Sequence, residues 1–316
     1  MKIQEIAEKA GVSTATISRV FSHHPNIRKE VRNHVFAIAR QYGYVPRLSR
    51  KQRNIAVITP YKKIYPIQSY VEMVISELTH ELSLRGYRIE ILTLDNLEQL
   101  ERSQFCGGVA IGAKDSLFKD WDERFAVPLI IVDQEAPGSF PGICSVRSDE
   151  HAAMDLAIGY FVKRGCKKIG SIIYGEPGTG NADLRKEALL SSLRRHDLKD
   201  SEELIRFSLE EGYVEEVGKL LRRGIDALFA PGGNAGIIAS YALSLYNRRI
   251  PEDISLIASE RTVFSRYATP PQTTISQDYE KVASCVADAL DACLVGKEFP
   301  RETVLPYKLI LRESVK

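Results

Sequence analysis

The stretch Ile3-Gln4-Glu5-Ile6-Ala7-Glu8-Lys9-Ala10-Gly11-Val12-Ser13-Thr14-Ala15-Thr16-Ile17-Ser18-Arg19-Val20-Phe21-Ser22 decides the reading of this chain. Ile3, Ile6, Ala7 and Ala10 recur at helical spacing and give one apolar stripe. Gly11 accepts the left-handed backbone that ends a helix, and Val12 plugs the turn behind it. Ser13 is placed to cap a second helix, which buries Ile17, Val20 and Phe21 and turns Thr14, Ala15, Ser18 and Arg19 outward. Two short helices about so tight a turn make a helix-turn-helix. A face of small polar residues with one Arg suits close approach to base edges in a major groove. An ordinary helical hairpin is the competing reading, and the whole string rather than any one residue argues against it.

Charge supports the same reading. The 316 residues carry a net charge of only +2, unevenly spread. Residues 1–54 hold eleven Lys/Arg against three Asp/Glu, a balance of +8, while the rest of the chain stands at −6. A cationic head on a mildly acidic body is the electrostatic footprint of a nucleic-acid binder. A third helix over 29–42 turns Val31, Val35, Ile38 and Tyr42 inward and stops at Gly43. Pro46 and a short basic connector, Arg47 to Asn54, follow.

From Ile55 the pattern changes to buried strands alternating with amphipathic helices. Strands are expected at 55–58, 88–92, 108–111, 129–132, 168–173, 226–229 and 254–257, and helices at about 67–85, 149–164, 182–196, 210–222, 234–247 and 278–294. Such alternation implies parallel sheets with helices on both faces, and more than 250 residues of it favours two lobes over one sheet. Ligands of such sheets sit beyond the carboxyl ends of the strands. No internal sequence repeat is evident.

Several function classes are disfavoured. No apolar run reaches 18 residues and the chain opens directly on an amphipathic helix, so neither a secretory signal nor a membrane span is expected. Cys106, Cys144, Cys166, Cys285 and Cys293 show no metal spacing and read as reduced, mostly buried thiols of a cytoplasmic chain. No cofactor or metal is expected. Hydrolase and nucleotide-binding signatures are missing, and the glycine-rich Gly175–Gly180 loop lacks the Lys and Ser/Thr of a phosphate-binding loop. His23 and His24 lie by the head and read as phosphate-adjacent. No enzyme is expected.

Gly11 to Val20 resembles the signature of the lactose-repressor (LacI/GalR) family of bacterial transcription regulators, and Val35 to Pro46 resembles that family's third helix and its exit. Weaker similarity runs through nearly all the rest. The resemblance implies an N-terminal three-helix helix-turn-helix DNA-binding domain and a two-lobed α/β core like the periplasmic binding proteins. The expected boundaries are 1–46 for the head, 47–54 for the hinge and 55–316 for the core. Within the core, the N-lobe covers about 55–147 and 276–296, and the C-lobe about 148–275 and 297–316.

By the same resemblance, Thr14 and Ala15 match the two main specificity positions. The candidate DNA contacts are Thr14, Ala15, Thr16, Ser18 and Arg19, with Arg19 expected on a guanine or a nearby phosphate. Arg28 stands where the family usually has a Ser cap on the third helix. A cation is unfavourable at a helix N-terminus, so Arg28 is expected to meet a DNA phosphate, with Asn26 beside it. The connector also departs. The family's hinge helix wedges a Leu into the minor groove, but here eight residues separate Pro46 from Ile55. Leu48 is the sole wedge candidate, a plain tether is the alternative, and Arg47 and Arg50 track phosphate.

For the effector cleft, local matches select Asp133, Arg185 and Phe207, each with a surface ion pair or a core aromatic as the competing reading. The family's usual Asn-Asp is Gly232-Gly233 here, and the usual Gly-Phe-Asp-Asp is Ala258-Ser259-Glu260-Arg261. Glu260 keeps a carboxylate. Gly233 either opens helix N–H groups to an anion or makes a tight turn. The segment Asp95–Gly107 is about ten residues shorter than the family's usual connection. Residues 268–275 resemble the family's crossover and following strand, 307–312 read as a final strand, and no heptad-bearing tail follows.

The expected function is sequence-specific regulation of carbohydrate-related genes, most simply as a repressor. The expected partners are a near-palindromic duplex operator, a small effector such as a sugar or sugar derivative, and a second copy of the chain; no membrane is involved. The alternative keeps the DNA binding and makes the core a dimerisation scaffold with a non-sugar or lost effector site.

Overall fold

The computed structural model describes residues 2–22, 24, 26–44, 53–59, 70–94, 99–100, 105–112, 117, 121, 125, 127–136, 142–198 and 202–316. Three helices make the head: α1 (Ile3–Lys9), α2 (Thr14–Phe21) and α3 (Lys29–Gln41). Gly11 takes a φ of +63° and lets the Val12 N–H return to the Ala7 carbonyl at 3.0 Å, which closes α1. Ile6, Ile17, Val20, Val35 and Phe36 are buried together, with Val12 packed against them. Phe21 closes this small core, its ring 5.5 Å from Phe36 and 5.7 Å from Tyr44. Each fully buried aliphatic contributes about 1.5–3 kcal/mol.

In chain order, the strands that follow are β1 (Asn54–Thr59), β2 (Arg88–Thr93), β3 (Gly107–Ile111), β4 (Leu129–Val132), β5 (Ile143–Ser148) and β6 (Ile169–Tyr174). Then come β7 (Ile205–Ser208), β8 (Ala227–Ala230), β9 (Ser255–Ser259), β10 (Thr273–Ser276), β11 (Glu302–Leu305) and β12 (Lys308–Ile310). The helices are α4 (Tyr70–Leu84), α5 (Glu150–Lys163), α6 (Gly180–Arg195), α7 (Glu210–Arg222), α8 (Ala235–Leu245), the short α9 (Val263–Tyr267) and α10 (Tyr279–Leu294).

Two six-stranded sheets result, ordered β2-β1-β3-β4-β5-β11 and β7-β6-β8-β9-β10-β12. The orders correspond strand for strand, a repeat of topology that the sequence does not show. Strands β1 to β5 pair in parallel, with Ile55 opposite both Ile89 and Gly107. The second sheet is likewise parallel from β7 to β10, and β12 closes it antiparallel, Thr274 opposite Ile310. The chain divides into two compact units. One includes the head, Val71–Arg147 and Tyr279–Val304; the other includes Ser148–Asp278 and Leu305–Lys316.

One sequence expectation needs correction. The expected C-lobe segment 297–316 divides: Leu305–Lys316 belongs to the second unit, but β11 edges the first sheet, where the Ser145 N–H donates to the Arg301 carbonyl at 2.8 Å. The reason is the unsatisfied edge of β5: Ile143, Cys144, Ser145 and Val146 are all buried, and that strand needs a partner.

In the first unit, glycines in β3 admit bulky neighbours. A Cβ at Gly108 would stand 2.5 Å from the Trp121 ring, and one at Gly107 would stand 2.9 Å from Leu290 of α10. Trp121 packs with Phe105 and Phe125 and donates its ring N–H to the Val127 carbonyl at 3.0 Å. In the second unit one core lies among Ile158, Phe161, Leu189 and Phe229, and another among Tyr213, Leu220, Leu243 and Leu256. Cys106, Cys144, Cys166 and Cys285 are buried, and Cys293 is partly so.

Candidate functional site

The head presents α2 as the sequence leads one to expect. Ser13 caps it, its Oγ accepting from the Thr16 N–H at 3.0 Å. Ile17, Val20 and Phe21 are buried, and Thr14, Ala15, Ser18 and Arg19 are exposed. Thr16 is half-buried, with its hydroxyl 2.9 Å from Ser13 Oγ, so it serves the cap from the edge of that face. Asn26 and Arg28 are both exposed. Arg28 is the N-cap residue of α3 and supplies no side-chain cap. Arg47, Leu48 and Arg50 lie outside the described residues.

Four of the five effector candidates, Asp133, Phe207, Gly233 and Glu260, fall at or just beyond the carboxyl ends of strands, and Arg185 lies in α6. Asp133 follows β4 in the first unit with a φ of +54°, and its N–H donates to the Val146 carbonyl at 3.0 Å. The other four belong to the second unit. Phe207, on the edge strand β7, packs partly buried against the hydrophobic core.

Arg185 grips Glu150 with both arms, Nε to Oε2 at 3.1 Å and Nη2 to Oε1 at 3.0 Å. The Tyr307 hydroxyl donates to the same carboxylate at 2.8 Å. The guanidinium also lies against the backbone after β8, because a Cβ at Gly232 would meet Arg185 Nη1 at 2.6 Å. The Tyr174 ring covers Gly233 in the same way. Both glycines have positive φ, +87° and +42°, and the Gly232 N–H donates to Ser259 Oγ at 2.8 Å. Of the two readings of Gly232-Gly233, the geometry is that of a tight turn, with these side chains laid over it.

Glu260 is buried and committed to Arg312, whose Nη1 and Nη2 reach its two carboxylate oxygens at 2.9 and 3.2 Å. The Thr274 hydroxyl donates to Glu260 as well. The next residue, Arg261, was not among the candidates. It is nearly enclosed, and it precedes Thr262, a β-branched residue held at φ +40°. Its signal was a cation at the position where the resembled pattern has an Asp. Tyr174, Glu150 and Arg312 carried no such signal, since tertiary packing alone brings them here.

Outside this region the second unit exposes Tyr241 and Leu245, one turn apart on α8, together with Val263, Phe264 and Tyr267 on α9, which packs against α8. Tyr267 is 74% exposed. Among the described residues no helix is long and apolar enough to cross a membrane.

Comparison with known proteins agrees with this geometry. Residues 2–47 match the family of bacterial regulatory proteins, lacI family, and residues 158–315 match a periplasmic binding protein-like domain. The chain is 25% identical to the probable HTH-type transcriptional repressor ExuR of Bacillus subtilis over 99% of this chain and 98% of that one. It is 27% identical to the HTH-type transcriptional repressor PurR of Pasteurella multocida, over 99% and 98%. The structure of the transcriptional regulator CelR–cellobiose complex superposes with a TM-score of 0.72 at 22% identity, covering 99% of both chains. The lac repressor bound to ONPG does so at 0.71 and 19%, covering 100% of this chain and 99% of that one. With a capped recognition helix on a cationic head, a core of two parallel sheets and these matches along its length, the chain belongs to the LacI family of bacterial DNA-binding transcription regulators.

Proposed function

We propose that this regulator is a cytoplasmic repressor of carbohydrate-related genes, binding a near-palindromic operator as a homodimer and releasing or tightening on it when a small effector occupies the core. It performs no catalysis. The single observation that carries this reading is the exposed face of α2, where Thr14, Ala15, Ser18 and Arg19 stand clear of a core that holds the helix rigid. Phosphate contacts from the cationic head supply affinity, and that face supplies discrimination. The apolar surface of Tyr241, Leu245, Val263, Phe264 and Tyr267 supports pairing of two copies, because exposed clusters of this kind mark contact sites. The boundaries at 46 and 54 place the connector between head and core. Similar proteins include the sucrose operon repressor of Streptococcus mutans, 25% identical over 99% of both chains, which supports a carbohydrate-related effector.

Selection of bound sites from random duplex DNA tests the reading, repeated with candidate sugars present. The expected result is one inverted-repeat motif whose recovery changes with one class of ligand. A pool with no shared motif overturns the proposal.

A further inference from the structure

Among the described residues, three side-chain polar atoms of the second unit are buried without a hydrogen-bond partner; Arg206 Nε lies 3.7 Å from Glu216, and the other two stand at the ends of adjacent strands. Arg261 directly follows the Ser259-Glu260 end of β9 and is 5% exposed. Its Nη1 donates to the Glu260 carbonyl at 2.6 Å, while Nε is buried with no hydrogen-bond partner among the described residues. The neighbouring carboxylate cannot neutralise it, because both oxygens of Glu260 are held by Arg312. Among the described residues Arg261 enters no ion pair. A guanidinium stays protonated in any protein setting, so enclosing one without an anion is unfavourable.

The second atom is Asn234 Oδ1, just beyond β8, buried with no hydrogen-bond partner among the described residues. The two loops are tied together by the Gly232 N–H on Ser259 Oγ, and the strands run level, Ala230 opposite Ala258. One loop therefore lacks an acceptor for a cation, and the other lacks a donor for an amide oxygen. A ligand that satisfies both carries an oxyanion and at least one hydroxyl.

We propose that the core of this regulator takes an anionic polyol, a sugar-like molecule bearing a carboxylate or a phosphate, with its oxyanion on Arg261 and a hydroxyl on Asn234. This rests on the effector reading above and names the ligand's chemical class. A neutral sugar would leave the enclosed guanidinium uncompensated. The planar fork of Arg261 also suits two oxygens of one anion better than a single hydroxyl.

The test is calorimetric titration of the purified full chain with hexoses, the corresponding hexuronates, hexose phosphates and inorganic phosphate. Saturable binding is expected for at least one charged sugar, at least tenfold tighter than its neutral parent. Arg261→Gln should lose at least tenfold of that affinity and Asn234→Ala a smaller part, while the circular dichroism spectrum and a single cooperative thermal transition show that both variants fold. The inference is overturned if the Gln variant binds the charged sugar unchanged, or if inorganic phosphate competes equally in both proteins. A neutral hexose bound as tightly as its acid also overturns it, while leaving the effector reading in place. Silence across the whole panel removes both.

Discussion

The Tyr174 ring lies directly on the backbone of Gly233, so close that a Cβ added to Gly233 would sit 2.2 Å from ring carbon Cδ1. The glycine is therefore required twice, by this approach and by its φ of +42°. Gly233→Ala should destabilise the chain by about 1–3 kcal/mol, the usual range for forcing extra volume into a packed site. Urea denaturation measures it. Combining it with Tyr174→Ala should recover part of the loss, and strict additivity of the two would show that the ring is not the obstacle.

Breaking the enclosed Glu260–Arg312 pair from one side leaves a charge without its partner. Glu260→Leu alone should cost about 3–5 kcal/mol, while Glu260→Leu with Arg312→Met should cost clearly less. Equal losses in the single and double variants would mean that the pair is held for its packing.

In the head, the two Arg positions should separate by assay. Arg19→Ala should remove about 1–3 kcal/mol of preference for the operator over unrelated duplex. Arg28→Ser should weaken binding to all sequences alike and lower the salt slope by about 1, while the new cap stabilises the head by about 1 kcal/mol. Competition binding at several salt concentrations distinguishes them, and an unchanged slope in Arg28→Ser removes the phosphate contact.

Cys144 and Cys293 supply a pH signature. The Cys293 thiol donates to Cys144 and, with help from the Arg301 charge, lowers its ionisation to about 7, whereas Cys293 is raised by the same contact. An unfolded thiol ionises near 8.5. Between roughly 7 and 8.5 the unfolded Cys144 thiol thus holds more protons than the folded one, and its contribution to stability should rise with pH across that window. The Cys144 contribution is complete above the unfolded value and lost as pH falls through 7; Cys293, Cys106 and Cys166, all raised in the folded chain, oppose it as their unfolded thiols ionise toward the upper end of the window. Cys144→Ser should flatten the rise in denaturation midpoints measured from pH 6 to 8.5.

The eight-residue connector predicts a smaller DNA bend than a wedging hinge helix imposes. Fluorescence transfer between the ends of a bound operator should report a nearly straight duplex. A kink of tens of degrees would restore Leu48 as a wedge.

How much could be read in the residues divides along physical lines. The head was legible because its signals are local: Gly11 at the turn, Ser13 at the cap and Ile17, Val20 and Phe21 at helical spacing all act within a few positions. Buried parallel strands such as Leu129–Val132 announced themselves as apolar runs. Strand β5 did not, because Ser145, Arg147 and Ser148 interrupt its pattern, and Ser145 is tolerated inside only by donating to the Gln134 carbonyl. The edge strands β7 and β11, with mixed exposure, gave no run at all. In the second unit, Arg185 and Glu260 were recognisable by local match to the resembled family's pattern. That Glu150 and Arg312 hold them was not, since those partners stand 35 and 52 residues away.

The last strand of each sheet has a consequence for how this protein is made. β11 supplies the outer edge of a sheet whose other strands are synthesised before residue 149, and β12 with Ser314 finishes the other sheet. Neither sheet is complete until residues 302–314 have been synthesised. A nascent chain therefore carries the open edge of β5 from residue 148 and that of β10 from residue 276, and β11 and β12 cover the two within a few residues of each other.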